Sequence, residues 1–127
     1  MVSSGVGLMS ESEVMGFMKD ASAGVLCLVD GDRPYAVPLE HYFDGKTLHF
    51  AILPIEGRKI RCIRKNANGC FVIYESRHDK PRMNTPCRSV IIEGKVSVHG
   101  ASLRMDIKEI GNWKCPPSRF EMCHVGY

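Results

Sequence analysis

No stretch of about 18 apolar residues occurs in this 127-residue chain, which excludes a helix long enough to cross a bilayer. The first residues, MVSSGVGLMSESE, lack the charged-then-apolar layout of a secretion signal. A cytoplasmic protein without a membrane partner is expected. Six cysteines are present, Cys27, Cys62, Cys70, Cys87, Cys115 and Cys123, but no C-x-x-C pair. Most of them sit in apolar stretches, where a free thiol behaves as a small hydrophobe, so reduced thiols are expected and not a disulfide framework. Cys115, Cys123 and His124 are the loose candidates for a zinc site. Ligands close in sequence normally come in pairs two to four residues apart, and these do not, so no metal is expected. There is no internal repeat, no low-complexity tract, and no catalytic triad, paired-carboxylate or nucleophile motif. Charge of one sign is also scarce: 17 Lys and Arg against 14 Asp and Glu leave +3, too little to imply nucleic acid by itself.

What is there suffices for one domain with a real core, spanning residues 1–127, with 1–9 as a disordered lead and 114–127 as an irregular tail. Ser10-Glu11-Ser12-Glu13 fits a capping box, and Val14, Phe17 and Met18 at i, i+3, i+4 give the helix that follows one apolar face, until Gly24 ends the pattern. GVLCLVD is a run of strand length. Asp30-Gly31-Asp32 supplies hairpin chemistry into PYAVPLEHYF, and Asp44-Gly45 repeats the signal before TLHFAI. Three strands joined by such turns imply an antiparallel meander. A basic helix, a strand GCFVIY, a polar loop SRHDKPRMNTP and a long strand CRSVIIEGKVSVH follow. SLRMDIKEI has helical spacing, with Leu103, Ile107 and Ile110 on one side, and Pro116-Pro117 makes the tail irregular. The fold class is mainly β with short helices: a six-stranded antiparallel split β-barrel, whose closure removes exposed edges.

EGRKIRCIRKN, residues 56–66, holds Arg58, Lys59, Arg61, Arg64 and Lys65. A solvated helix face accounts for Arg61, Arg64 and Lys65, with Ile60, Ile63 and Ala67 turned to the core. It does not account for Arg58 and Lys59. They fall in the first turn, where the helix dipole makes a cation cost about 0.3–1 kcal/mol. Glu56 offsets part of this, and a bound phosphate would use the free N–H groups, the dipole and both side chains together, with Gly57 allowing close approach. Three readings stay open on these residues: a phosphate-bearing ligand, a plain surface patch, and a nucleic-acid backbone.

R-P-Y-x-V-P-L at 33–39, D-G-x-x-L-x-F at 44–50 and E-G-R-K at 56–59, in that order, make residues 10–98 resemble the FMN-binding split-barrel proteins related to pyridoxamine 5′-phosphate oxidase. The resemblance is nearest the branch of the nitroimidazole-resistance reductases. It implies a homodimer holding FMN at the subunit interface and acting on a small-molecule substrate or redox partner. By the same resemblance Gly57, Arg58 and Lys59 take the phosphate, while Val37, Pro38, Leu39, Glu40, Phe50, Ala51 and Ile52 contact the ring. Val37, Leu39, Phe50 and Ile52 equally suit a core, and Pro34 and Pro38 equally mark an edge strand.

Two departures stand out. Ala51 occupies the place where the reductase branch ends its third strand with a histidine, which implies poor nitroimidazole reduction, and His49 lies two residues earlier on the same face. The tail after Gly100 is short for the family and carries no recognisable resemblance, and Trp113 either stacks on a partner's flavin or caps its own barrel. The expectation is an FMN-dependent oxidoreductase. A non-enzymatic FMN-binding or electron-transfer protein is the second reading, and a basic barrel binding nucleic acid the third. That third reading is set aside because Tyr35, Tyr42, Phe43 and Phe50 do not form a stacking row. Haem or a deazaflavin are the other cofactors such a barrel would take.

Overall fold

Ser10 starts the first helix as its sequence predicts. Its hydroxyl accepts from the Glu13 amide at 3.2 Å while the Glu13 carboxylate accepts from the Ser10 amide at 3.1 Å, and α1 runs over Glu11–Asp20. Val14, Phe17 and Met18 are buried against the sheet. In this computed structural model residues 8–53, 55–75 and 87–115 are described; the polar loop at 76–86 and the tail from 116, with Cys123 and His124, lie outside them. No helix among the described residues is long and apolar enough to cross a membrane.

Among the described residues seven strands follow: β1 Ala23–Asp30, β2 Arg33–Glu40, β3 Tyr42–Phe43, β4 Thr47–Ala51, β5 Asn68–Glu75, β6 Arg88–His99 and β7 Ser102–Lys114, with α2 at Arg58–Lys65 between β4 and β5. They form one curled antiparallel sheet in the order β2-β1-β5-β6-β7-β4-β3. The predicted meander is therefore wrong beyond its first hairpin. β1 pairs with β2 across a two-residue turn at Gly31 and Asp32, but PYAVPLEHYF breaks at His41, and β3 and β4 join the opposite end of the sheet beside β7. The count rises to seven through this break and through β7.

β7 is the second correction. Residues 102–110 are strand, paired with β6 from Ser102 to Lys114 and with β4 from Ser102 to Asp106. Leu103, Met105 and Ile107 face inward with period two, then the register shifts opposite Glu93 and Gly94, and Lys108 is the extra residue. After it Ile110 returns to the inside. The bulge converts a period-two pattern into the i, i+4, i+7 spacing that reads as a helix. Gly94 allows it, because a Cβ there would sit 2.0 Å from the Asp106 carbonyl.

The core fills the curl. Phe50 and Phe71 meet edge to face at 4.8 Å, and Leu26, Leu48, Ile73, Val90, Ile92, Leu103 and Met105 close around them. Gly24, expected to end a helical pattern, instead lies in β1 where a Cβ would come 2.6 Å from the Phe71 ring. α2 covers one end of the curl with Ile60, Cys62 and Ile63. The outer face of β1, β5, β6 and β7 carries Val25, Val29, Tyr74, Ile91 and Trp113, all at least 36% exposed. Trp113 thus faces outward and does not cap its own barrel, and the ladder continues through Lys114 into the stretch expected to be irregular. Cys27, Cys62 and Cys70 are free thiols.

Candidate functional site

The split in the barrel follows from main-chain chemistry. The His41 amide donates to the Ser22 carbonyl at 3.0 Å, which sets the phase of the β1–β2 ladder. In an antiparallel pair, bonded and non-bonded positions alternate, so the even-numbered residues of β2 turn their main-chain groups away from β1. Those residues are Pro34, Ala36, Pro38 and Glu40. Proline has no amide hydrogen, so half of the outward donors are missing, and among the described residues no strand pairs on that side.

At one end of the split lies the N-terminus of α2. Gly57 is its N-cap, without a side-chain hydrogen bond, and the first turn holds no acidic residue. Arg61 N is the first to bond within the helix, to Gly57 O at 3.0 Å, leaving the amides of Arg58, Lys59 and Ile60 ahead of it. The Arg58 guanidinium is held on two sides: its Nε donates to Asp30 Oδ2 at 2.8 Å, and its plane lies 4.3 Å over the Tyr35 ring. Asp30 thus relieves part of the electrostatic penalty that sequence reasoning assigned to a ligand alone. Because Asp30 engages Nε, the two Nη groups remain for a bidentate anion. Lys59 makes no ion pair among the described residues, whereas Arg64 is engaged by Glu56 at 3.1 Å.

Further along the split is an open cavity of about 320 Å³ lined by Glu40, His41, Tyr42, His49, Phe50, Ala51, Ala101 and Ser102. His49 and Ala51 share the outward face of β4, as strand periodicity predicts, and Tyr42 lies opposite His49 with ring centroids 5.9 Å apart. Nε2 of His41 donates to the Met18 carbonyl at 3.1 Å, and its ring stands edge-on to Phe71 at 5.0 Å. Burial holds this imidazole below its ordinary pKa, and Nδ1 has no partner among the described residues.

Of the residues expected around a cofactor, the structure brings Glu40, Phe50 and Ala51 to the cavity and Gly57, Arg58 and Lys59 to the helix start. Val37, Leu39 and Ile52 pack on the core, Phe50 is fully buried, and Pro38 is exposed on the open row of β2. Sequence reasoning missed Asp30 and Tyr35 behind Arg58, and His41, Tyr42 and Ser102 at the cavity. Asp30 and Asp44 were read only as turn residues. The distances that give them further roles arise from packing across strands, and only the five-residue spacing of Asp44 and His49 across a hairpin was a visible signal. Among the described residues no three His, Cys, Asp or Glu side chains cluster as a metal site.

Tyr35 and Glu40 are five residues apart on β2, about 16 Å of extended chain. A ligand touching both ends is elongated, anionic at the α2 end and flat at the cavity. The residues present fit a flavin phosphate by their free amides and forked guanidinium, and a ring by the cavity.

Comparisons agree with this architecture. The fold is shared with an FAD-binding protein from Mesorhizobium loti, at TM-score 0.71 and 16% identity over 84% of this chain and 96% of that one. It is shared with a proposed pyridoxamine 5′-phosphate oxidase from Listeria innocua, at TM-score 0.65 and 20% identity over 80% and 96%. A proposed 5-nitroimidazole antibiotic resistance protein from Bacteroides thetaiotaomicron superposes at TM-score 0.66 with 15% identity over 84% and 85%. No curated protein matches the sequence. The family model described as pyridoxamine 5′-phosphate oxidase matches residues 10–111, most of the chain, and this split barrel belongs to that family.

Proposed function

We propose that this chain is an FMN-binding flavoprotein, an oxidoreductase acting on a small molecule, working as a homodimer in the cytoplasm. The observation that carries the reading is the first turn of α2: amides without a side-chain cap, an Arg58 fork backed by Asp30 and Tyr35, and a Lys59 that makes no ion pair among the described residues. Membership of the family and the FAD-binding protein among the structural relatives favour a flavin. The pair of cations at the helix start, Arg58 and Lys59, favours the monophosphate.

A bound flavin supplies the electron-transfer chemistry, which agrees with the lack of a nucleophile or paired carboxylates. The chain's own residues do the rest. Arg58, Lys59 and the α2 amides anchor the phosphate. Phe50 and the core behind it form a rigid floor, and Ala51 leaves space above β4. His49 presents its imidazole to a ligand in the cavity, with Asp44 holding the ring in place.

A second copy of the chain fits the apolar outer face of β1, β5, β6 and β7, an exposure unusual for a lone domain. Free thiols suit a reducing compartment.

The test is the visible spectrum of freshly purified protein together with its affinities for FMN, FAD and riboflavin. A yellow protein that prefers FMN to riboflavin by about a hundred-fold, the worth of two charge-assisted hydrogen bonds, is expected. A colourless protein that binds FMN and riboflavin equally weakly sinks the reading.

A further inference from the structure

Cys27 of β1 and Cys70 of β5 stand directly opposite each other in the ladder that joins the two strands. Ser22 and His41 are a bonded pair at the start of the neighbouring ladder, so the even-numbered residues of β1 turn their main-chain groups to β2 and the odd-numbered ones to β5. Cys27 and Cys70 are therefore a hydrogen-bonded pair, with Cα atoms about 5.5 Å apart, a span that a disulfide bridges. Their chain neighbours Leu26, Leu28 and Phe71 are buried, so both thiols point to the outer face of the sheet. Both are free and half-buried, and they line one notch of about 250 Å³ together with Val29, Asn68 and Glu93. Among the described residues no metal cluster forms here, so the chemistry open to the pair is that of two adjacent thiols.

A bond between them is strained. Side chains of a hydrogen-bonded pair stand about 5.5 Å apart at Cβ, against about 3.8 Å in a relaxed disulfide. Closing that gap pulls on both strands and makes the bridge easy to reduce again. It also falls at a short seam, for β1 meets β5 over Val25–Cys27 but meets β2 along its whole length. The hairpin on the far side of that seam carries Asp30 and Tyr35, the supports of Arg58.

We propose that Cys27 and Cys70 are a reversible redox pair, oxidised by a peroxide to a cross-strand disulfide that staples the β1–β2 hairpin to the rest of the sheet. This chemistry needs no flavin. The Cys27 thiolate attacks one peroxide oxygen: an S–O bond forms, the O–O bond breaks, and the hydroxide that leaves takes up the thiol proton as water. The Cys70 sulfur then attacks the sulfenic sulfur of Cys27: the S–S bond forms, the S–O bond breaks, and a second water leaves with the Cys70 proton. Two thiols have lost two electrons and two protons, and one hydrogen peroxide has become two waters. Burial, with Cys27 and Glu93 beside it, pushes the Cys70 thiol above its ordinary pKa, which makes it the poorer thiolate and gives Cys27 the first step. Two equivalents of a small thiol reverse the bond and leave as their own disulfide. Asn68 and Glu93 mark the polar margin of the outer face, where a peroxide enters beside a second copy centred on Ile91.

The experiment treats reduced protein with hydrogen peroxide, blocks the remaining thiols by alkylation and maps the linkages by mass spectrometry, with melting temperature read before and after. A Cys27–Cys70 bond within one chain, a rise of about 5–10 °C in melting temperature, and the return of both on adding glutathione are expected. Cys27→Ser and Cys70→Ser should show no rise, and Cys70→Ser should stop at a Cys27 sulfenic acid that dimedone traps. Cys62→Ser, which alters a buried thiol of α2, should keep the bond. Peroxide that leaves Cys27 and Cys70 as thiols, joins either to another cysteine, or links two chains overturns the inference. A bond that glutathione leaves intact, or one that forms without moving the melting temperature, does the same.

Discussion

Nε2 of His49 lies 2.8 Å from Oδ2 of Asp44, across the turn that joins β3 to β4. An ionised carboxylate can only accept, so Nε2 carries the hydrogen and Nδ1 is the nitrogen left free for a ligand. The other oxygen of Asp44 takes the Thr47 amide at 2.7 Å and the Lys46 amide at 2.8 Å, so one side chain both builds the hairpin and sets the tautomer of the histidine beside the cavity.

The acid limb of stability should therefore have two parts. Burial keeps His41 below its ordinary 6.5, so the unfolded chain takes up the proton first and stability falls as pH drops below that value. His41→Phe, which retains the contact with Phe71 and cannot titrate, should flatten this part of the profile. The Thr47 amide, then His49 and the Lys46 amide, hold Asp44 at about 2 instead of 3.8. Its contribution is present above the ordinary carboxylate value and lost as pH falls toward the folded one, and Asp44→Asn should lack that loss. Melting temperature against pH for the three proteins checks both, and parallel profiles would refute them.

Arg58→Glu combined with Lys59→Glu should abolish FMN retention and leave riboflavin binding within about three-fold, since only the phosphate partners are reversed. Arg64→Glu, whose native partner is Glu56 and not a ligand, should keep FMN. Absorbance of the purified variants and equilibrium dialysis report the outcome. Stoichiometric flavin on the double mutant would show that the phosphate lies elsewhere.

Ile91 sits at the centre of the exposed apolar face, opposite Val72 on one side and Gly111 on the other. Ile91→Glu should convert a dimer at micromolar concentration into a folded monomer in sedimentation, because a like charge would face itself or an apolar surface across the two-fold axis. A dimer of unchanged affinity would move the interface off this face.

Gly24→Ala should cost about 1–3 kcal/mol, the range for overpacking, since its Cβ would meet both the Phe71 ring at 2.6 Å and the Val72 carbonyl at 2.5 Å. Gly16→Ala, with nothing within 4 Å, is the comparison and should be neutral or stabilising in a helix. Chemical denaturation of the pair measures the difference.

Local chemistry carried most of the elements. The capping box, both Asp-Gly turns and the buried face of α2 are readable because each is decided within a few residues. Two kinds of information were not local. Which edge β3 and β4 join depends on pairing Thr47–Ala51 with a strand more than fifty residues later, and no pattern inside PYAVPLEHYF announces it. β7 was hidden by one inserted residue that changed the apparent period. At the site, the basic first turn was legible as misplaced charge. Its supports Asp30 and Tyr35 were not, since nothing in the sequence relates a turn aspartate to an arginine 28 positions later.

The hairpin of β6 and β7 bears on how the chain reaches this state. Twelve residue pairs are closed by a two-residue turn at Gly100 and Ala101, with Gly100 at φ 60°. Such a hairpin can zip in microseconds, whereas β4 and β1 must find partners far along the chain against the entropy of closing long loops. The hairpin is then the template on which the rest condenses. Destabilising changes at Val96 or Met105 should slow refolding, while changes at the β1–β2 edge, which docks last, should leave refolding alone and speed unfolding. The strand pair at the middle of the sheet would set the pace of assembly, and the proline-bearing edge would be the first part of the sheet to open.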